Sequence, residues 1–526
     1  MFRRLSALAV FAAIAVPVFA QVAVTTQHND NYRTGQNTNE TVLTPANVNV
    51  EQFGKLFTQA VDGYVYAQPL YVPNVNIPGQ GTHNVVYVAT EHDSVFAFDA
   101  DNNSGQNAAP LWQASFIDPA KGITTIPSHD VSCTDLVPEV GITSTPVIDP
   151  STNTMYVLVR TKENGSYVQR LHALDITMGT EKSGSPVVIQ AKVKGTGDGS
   201  KYITFDTLRQ AQRPGLLLQN GDVFIGWASH CDNGPYHGWL MAYDAQTLQQ
   251  KGVWNSTPNG SEGGIWQAGA GIAVDSGNNV YVPTGNGTFD VNERGKDYGD
   301  SIIKLDFSAA GKLHVLDYFT PYDQNYLNRN DVDQGSGGVL LIPDRPGTKY
   351  PHLLIQAGKL GTVYVLDRDK MGHFHSGNDD QTVEHLIGAV GGMWAMPAFW
   401  NDSVYFGGAG DNLKIFSFDP QSGLLSQTPI STSSASFGFP GMTPSISSNG
   451  TTDGILWAID SEYYGQGSSI LYAYDATNLN NFLYSSTQDS GRDDPGGAVK
   501  FTVPTVANGK VYVGAVKGLS VYGLLP

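Results

Sequence analysis

An alternating apolar run that ends in aspartate recurs along this chain, and it constrains the fold more than any other feature. It reads SVFAFD to Asp99, RLHALD to Asp175, LMAYD to Asp244, IIKLD to Asp306, TVYVLD to Asp367, KIFSFD to Asp419 and ILYAYD to Asp475. An eighth copy, LSVYGLL from Leu519, lacks the aspartate. Period-two alternation marks a half-buried strand. Each copy follows a second apolar run such as NVVYVAT, DVFIGW or KVYVGA. Earlier still lies a first strand, opened by proline at Pro69, Pro146, Pro214, Pro397, Pro444 and Pro504. Proline is tolerated at the first residue of a strand, so its recurrence marks one boundary repeatedly. In the third copy Asn220-Gly221 joins the first two runs, a strong hairpin signal.

A weaker fourth run follows the aspartate turn, as around Trp112 and Trp254. The last copy has none after it, and FGKLFTQ from Phe53 to Gln59 has the pattern to supply it. Four strands per repeat, at a spacing of about 60 residues, predict an all-β fold. It is an eight-bladed β-propeller of four-stranded antiparallel blades, closed by an N-terminal strand. An open β-solenoid is the alternative, and it would leave both terminal repeats uncapped. The seven strand-ending aspartates read as turn residues that accept local backbone hydrogen bonds.

Residues 1–20 carry Arg3 and Arg4, an apolar run from Leu5 to Val18 and a small-residue end at Ala20, the pattern of a secretory signal peptide. Residues 21–526 are then one propeller domain. Two arginines fewer take the formal net charge from −18 to −20. Such an acidic chain is a poor partner for nucleic acid or an anionic membrane. No later stretch approaches the roughly 20 apolar residues of a membrane-spanning helix, so a secreted or periplasmic protein is expected. Cys133 and Cys231 are the only cysteines. In an oxidising compartment they are expected to pair. The competing reading is a metal site of His129, Cys133, His230 and Cys231, although the spacing matches no short ligand motif.

The repeat "apolar, Ala, aromatic or Leu, Asp, then a tryptophan strand" resembles that of the quinoprotein propeller superfamily. So do the segments GGIWQAGAGIAVDSGNNVYVPTGNGTFD and VKFTVPTVANGKVYVG, which are similar to exported bacterial members. The resemblance implies alcohol dehydrogenases that use pyrroloquinoline quinone (PQQ), with calcium, or non-enzymatic relatives that scaffold envelope assembly. The adjacent cysteine pair that many such dehydrogenases place against the quinone is absent here.

In a propeller, the loop entering the first strand of each blade and the loop joining its second and third strands share one face. Entering loops bring Glu139, Thr143, Arg213, Trp266, Gln267, Asp333, Trp394, Phe439, Arg492 and Lys500 there. Second-to-third loops bring Cys231, Lys359 and Lys517. Converging cations in an acidic chain suit an anionic or polyhydroxylated ligand, unless they only pair with acids of the same loops. The expected cofactor-binding set is Arg213, Trp266, Gln267, Trp394, Lys500, Glu139, Thr143 and Lys359. Asp331-Val332-Asp333 is a calcium-type oxygen pair, a general base at Asp333, or a polar turn. The leading expectation is a small polar molecule, an alcohol or a sugar, oxidised in the axial funnel. The alternatives are a scaffold with an envelope protein partner and a hydrolase or lyase using paired carboxylates such as Glu139 and Asp333.

Overall fold

The computed structural model describes residues 22–307 and 312–526. The signal-peptide segment lies outside the described residues. Eight antiparallel sheets form the blades of a propeller. Blade 1 is Leu70–Ile77, Gly81–Thr90, Ser94–Asp99 and Trp112–Ser115, each strand paired with the next. Blade 3 shows why the sequence folds this way. Leu217–Gln219 pairs with Asp222–Ser229 across Asn220 and Gly221. Both turn residues have positive φ, 50° and 77°, as the tight hairpin turn demands. Trp239–Asp244 and Gln250–Asn255 complete the sheet. Five of the marked prolines directly precede their first strands, which begin at Leu70, Val147, Ala398, Ser445 and Thr505.

The aspartates close turns. Asp99, Asp175, Asp244, Asp367, Asp419 and Asp475 each accept the backbone N–H two residues on. Asp306 meets His314 instead, and residues 308–311 beyond it are outside the described residues.

Blade 8 draws on both parts of the chain. Lys510–Leu524 doubles back at Lys517, where φ is 54°, so that Gly523 comes against the Gly509 carbonyl. Its outer half pairs antiparallel with Phe53–Tyr64, Phe53 opposite Leu524 and Gln59 opposite Leu519. Between blades the apolar faces of neighbouring sheets interdigitate. Val147, Tyr156 and Leu171 of blade 2, for example, share a core with Ile225, Trp227 and Trp239 of blade 3.

Residues 24–37 form a second ring that the repeat pattern does not announce. They circle the axis and hydrogen-bond to the inner strands in blade order. Val24 pairs with Tyr71, Thr25 O accepts from Ile148 N, and Asn31 O from Val274 N. Tyr32 O, Thr34 O and Gly35 O accept from Leu341 N, Phe399 N and Ile446 N in turn. Asn37 Nδ2 reaches Val506 O in blade 8. Arg33 is the hub of this ring and is fully buried. Its Nε and Nη2 donate to Ile272 O at 3.0 and 2.6 Å, and Nη1 donates to Thr26 Oγ1 and Gln27 O at 2.7 Å. Burial lowers its pKa to about 10, with Asp30 opposing. A side chain at Gly271 would collide with this guanidinium. Arg33→Ala strips four donor contacts from buried acceptors, and it is expected to cost about 3 kcal/mol, read as a lower denaturant midpoint.

Candidate functional site

At the other end of the axis the entering and second-to-third loops of blades 2 to 8 surround a pocket. It holds about 550 Å³ of atom-free space, counted to its open mouth. The lining includes Asp135, Arg213, Cys231, Asp232, Trp266, Asp333, Ser336, Lys359, Trp394, Phe439 and Phe501. Several lining residues sit in left-handed backbone: φ is 50° at Cys231, 52° at Asp232, 48° at Ala268 and 65° at Phe501. Such conformations are strained in residues with a Cβ and persist only where surrounding structure enforces them.

Two charged groups face each other across the pocket. In the first, Lys359 Nζ contacts Asp333 Oδ2 at 2.6 Å and Asp331 Oδ1 at 2.7 Å. Asp333 Oδ1 accepts the Asn286 N–H at 2.7 Å, and Asn286 Nδ2 donates to Asp331 Oδ1 at 2.8 Å. Burial depresses the Lys359 pKa, but Asp333 and Asp331 outweigh it, so the ammonium is held above its ordinary value. Asp232, bonded to Tyr236 Oη at 2.6 Å, is pushed up by burial and then by Asp333 and Asp331. Fully buried Asp300 is pushed well up by burial and by Asp333. In the second group, Arg213 and Lys500 share one carboxylate, Asp135, at 3.6 and 3.5 Å. Burial would raise Asp135, but Arg213 and Lys500 hold it below the ordinary range. Lys500 is lowered by burial.

Between them lies an aromatic wall. Trp394 meets Phe439 edge-on at 5.0 Å, and the Arg213 guanidinium lies 5.0 Å from the Phe501 ring and 5.9 Å from Trp266. The Trp266 Nε1–H is buried without an acceptor.

Cys133 and Cys231 are bonded to each other, with Cα atoms 5.6 Å apart. The zinc-type alternative therefore falls. Its two sulfurs are joined, His230 accepts from Arg160 at 2.7 Å, and His129 lies exposed beside Asp130. The bridge carries Asp135 two residues beyond one half-cystine and Asp232 one beyond the other, which ties the two charged groups together.

Of the expected residues, Arg213, Trp266, Asp333, Lys359 and Trp394 line this pocket. Lys500 stands behind Asp135. Gln267 is fully buried and donates to Gly271 O at 3.1 Å, so it supports the floor. Glu139 does not line the pocket: it is taken up by His92 at 2.8 Å and Thr125 at 2.6 Å, which separates it from Asp333. Thr143 is buried beside Glu91, away from the lining. Arg492 is paired to Asp493 at 2.7 Å on the outer side of blade 8. Asn286 and the Asp232 loop fall on the site face by the loop rule but are not singled out as site residues there, and Asp135 is not picked out at all. For Asp135 and Asp232 the available signal was their place within two residues of Cys133 and Cys231.

A closed ring of eight four-stranded blades, with a polar axial pocket on one face, defines the class of protein. Comparison with solved structures agrees with it. A quinohemoprotein alcohol dehydrogenase from Pseudomonas putida HK5 superimposes with a TM-score of 0.60 at 14% identity, over 96% of this chain and 80% of that one. The quinohemoprotein alcohol dehydrogenase of Comamonas testosteroni gives 0.59 at 16% identity, over 96% and 80%. A europium-containing methanol dehydrogenase gives 0.61 at 13%, over 95% and 98%. No family model and no curated protein matches the chain by sequence. The chain is thus an eight-bladed propeller with the quinoprotein alcohol dehydrogenase fold. Among the described residues no helix is long and apolar enough to cross a membrane.

The bridge spans 98 residues, so losing it is expected to cost up to about 4–5 kcal/mol through unfolded-chain entropy. Reductant should lower the thermal midpoint of the wild type and leave a Cys133→Ser, Cys231→Ser variant unmoved.

Proposed function

We propose that this protein is an exported oxidoreductase that oxidises a small alcohol or sugar with a PQQ-type quinone and a hard metal ion held in the axial pocket. The observation that carries this reading is the convergence of Asp232, Asn286, Asp331 and Asp333 beside Trp266. Asn286 Oδ1 is buried with no hydrogen-bond partner, next to carboxylates already gathered around one cation, the Lys359 ammonium. Oxygen donors of this kind suit calcium or a lanthanide. Trp266 offers a flat face, and Arg213 a fork for a carboxylate. The cysteines are not adjacent in sequence, yet Cys231 of their disulfide lines the same pocket as Trp266. The disulfide also suits an oxidising compartment, which supports export.

The bound quinone supplies the hydride-accepting chemistry. The chain's own residues do the rest. Asp333 Oδ2 is the atom placed to take the substrate hydroxyl proton. Lys359 and the Asn286 N–H hold that carboxylate in one orientation. Trp394, Phe439 and Phe501 exclude water from the reacting end.

The test is purified mature protein given PQQ with Ca²⁺ or with La³⁺. Calorimetry should report one quinone per chain, and dye reduction should follow with a panel of alcohols and sugars. Asp333→Asn is expected to lower kcat by about 10²–10⁴ while quinone binding persists. Trp266→Ala should weaken quinone binding itself. If neither metal supports quinone binding, the reading fails and the non-catalytic scaffold takes its place.

A further inference from the structure

The turn between the second and third strands of blade 1 carries two carboxyl groups that the pocket does not use. Glu91 and Asp93 are both fully buried. Gly141, from the segment entering blade 2, is wedged against them. Its N–H donates to Glu91 Oε2 at 2.6 Å. A Cβ at that position would overlap the Glu91 carbonyl oxygen and approach Asp93 Oδ1 to 2.8 Å. Only glycine lets the two turns close on each other. Asp93 itself is in left-handed backbone, with φ at 52°, so the turn is held rather than relaxed.

The polar groups here are unevenly matched. Arg160, on the second strand of blade 2, is buried and faces both carboxyls, but its two Nη groups are committed elsewhere and its Nε–H has no acceptor. Nη1 meets His230 Nε2 at 2.7 Å, and Nη2 donates to the Thr207 and Leu208 carbonyls at 3.4 and 3.3 Å. Glu91 Oε1 and both carboxyl oxygens of Asp93 are buried with no hydrogen bond of full geometry, although the Thr143 hydroxyl approaches Glu91 and the Arg160 backbone N–H approaches Asp93. Glu139 adds further negative charge nearby, itself held by His92 and Thr125. Buried polar atoms are almost always satisfied, and three under-satisfied carboxyl oxygens in one turn call for a shared partner. Burial pushes Glu91 up to about 7, and burial with Glu91 pushes Asp93 well above the carboxylate range.

We propose that Glu91, Asp93 and the adjoining Thr143 hydroxyl form a structural site for a hard cation, Ca²⁺ or Na⁺, one layer behind the pocket wall. The donor set is all oxygen, carboxylate and hydroxyl, the set that suits such ions and not thiophilic metals. Against two carboxylates stands one arginine, which leaves a negative charge for the ion to offset. The bound ion joins the Glu91–Asp93 turn of blade 1 to the entry of blade 2. Through Arg160 and His230 it also steadies the Cys231–Asp232 edge of the pocket. The site needs no quinone, so it stands or falls independently of the oxidoreductase reading.

The experiment uses the mature chain, freed of divalent ions and exchanged into choline chloride, without quinone. Ca²⁺ and Na⁺ are titrated separately by calorimetry and by thermal unfolding. An Asp331→Ala, Asp333→Ala variant, which strips from the pocket both carboxylates gathered around Lys359, should keep one binding event. Its midpoint should rise by roughly 2–3 °C at a hundredfold excess over Kd. Asp93→Asn and Glu91→Gln should each weaken that event by about tenfold or more. Which of the two ions produces it identifies the occupant. Binding unchanged in Asp93→Asn, or no binding in the Asp331→Ala, Asp333→Ala variant, overturns the proposal. So does an Asp93→Asn protein that melts higher in choline alone and ignores both ions, since the site would then hold a proton.

Discussion

The hydrogen-bonded ring of residues 24–37 is the constraint on which the rest of the molecule depends. A propeller of eight blades leaves the inner edge of every first strand facing the axis, where unpaired backbone groups are costly. Here one short segment meets those edges in turn, from Tyr71 in blade 1 to Val506 in blade 8. Arg33 holds that segment to Ile272 at the centre. The axial space is thereby filled at one end and left as a pocket at the other. A propeller closed only by side chains would have no such division.

Above that plug, function is set by how charge is distributed. The pocket keeps its cations, but not as free groups: Lys359 is committed to Asp331 and Asp333, and Arg213 and Lys500 divide a single carboxylate. The two arrangements differ in surplus. Acids outnumber cations on the Lys359 side and cations outnumber acids on the Arg213 side, so the pocket is polarised across its width. A ligand with an anionic end and a hydroxyl or carbonyl end matches that polarity. The disulfide holds the two sides in register, because Asp135 and Asp232 are anchored within two residues of its sulfurs.

Much of this was legible in the sequence because strand alternation is local. The aspartate-ended strands, the Asn220-Gly221 turn and the prolines before first strands each report a conformation within a few residues. The face-sharing rule then collected Arg213, Trp266, Asp333, Lys359 and Trp394 into one site without coordinates. The rule fails where position along a loop matters. Glu139 and Thr143 enter on the same face as Arg213, yet they point toward Glu91 and His92 between blades. Asp135 and Asp232 were passed over because acidic loop residues in so acidic a chain carry no distinguishing signal. Residues 24–37 have no period, since each pairs with a different blade, and so no repeat could reveal them.

Sequence by itself determined the repeat, the number of blades and which loops share a face, since each follows from side-chain alternation and turn chemistry along the chain. Only the tertiary structure decided that Cys133 and Cys231 are bridged, that Asp333 is clamped by Lys359, and that Glu91 and Asp93 are sealed with Gly141. The Lys359 clamp joins two loops of blade 5, and the other two contacts join different blades. Their geometry depends on the angle at which neighbouring sheets pack, and no local pattern of residues encodes that angle.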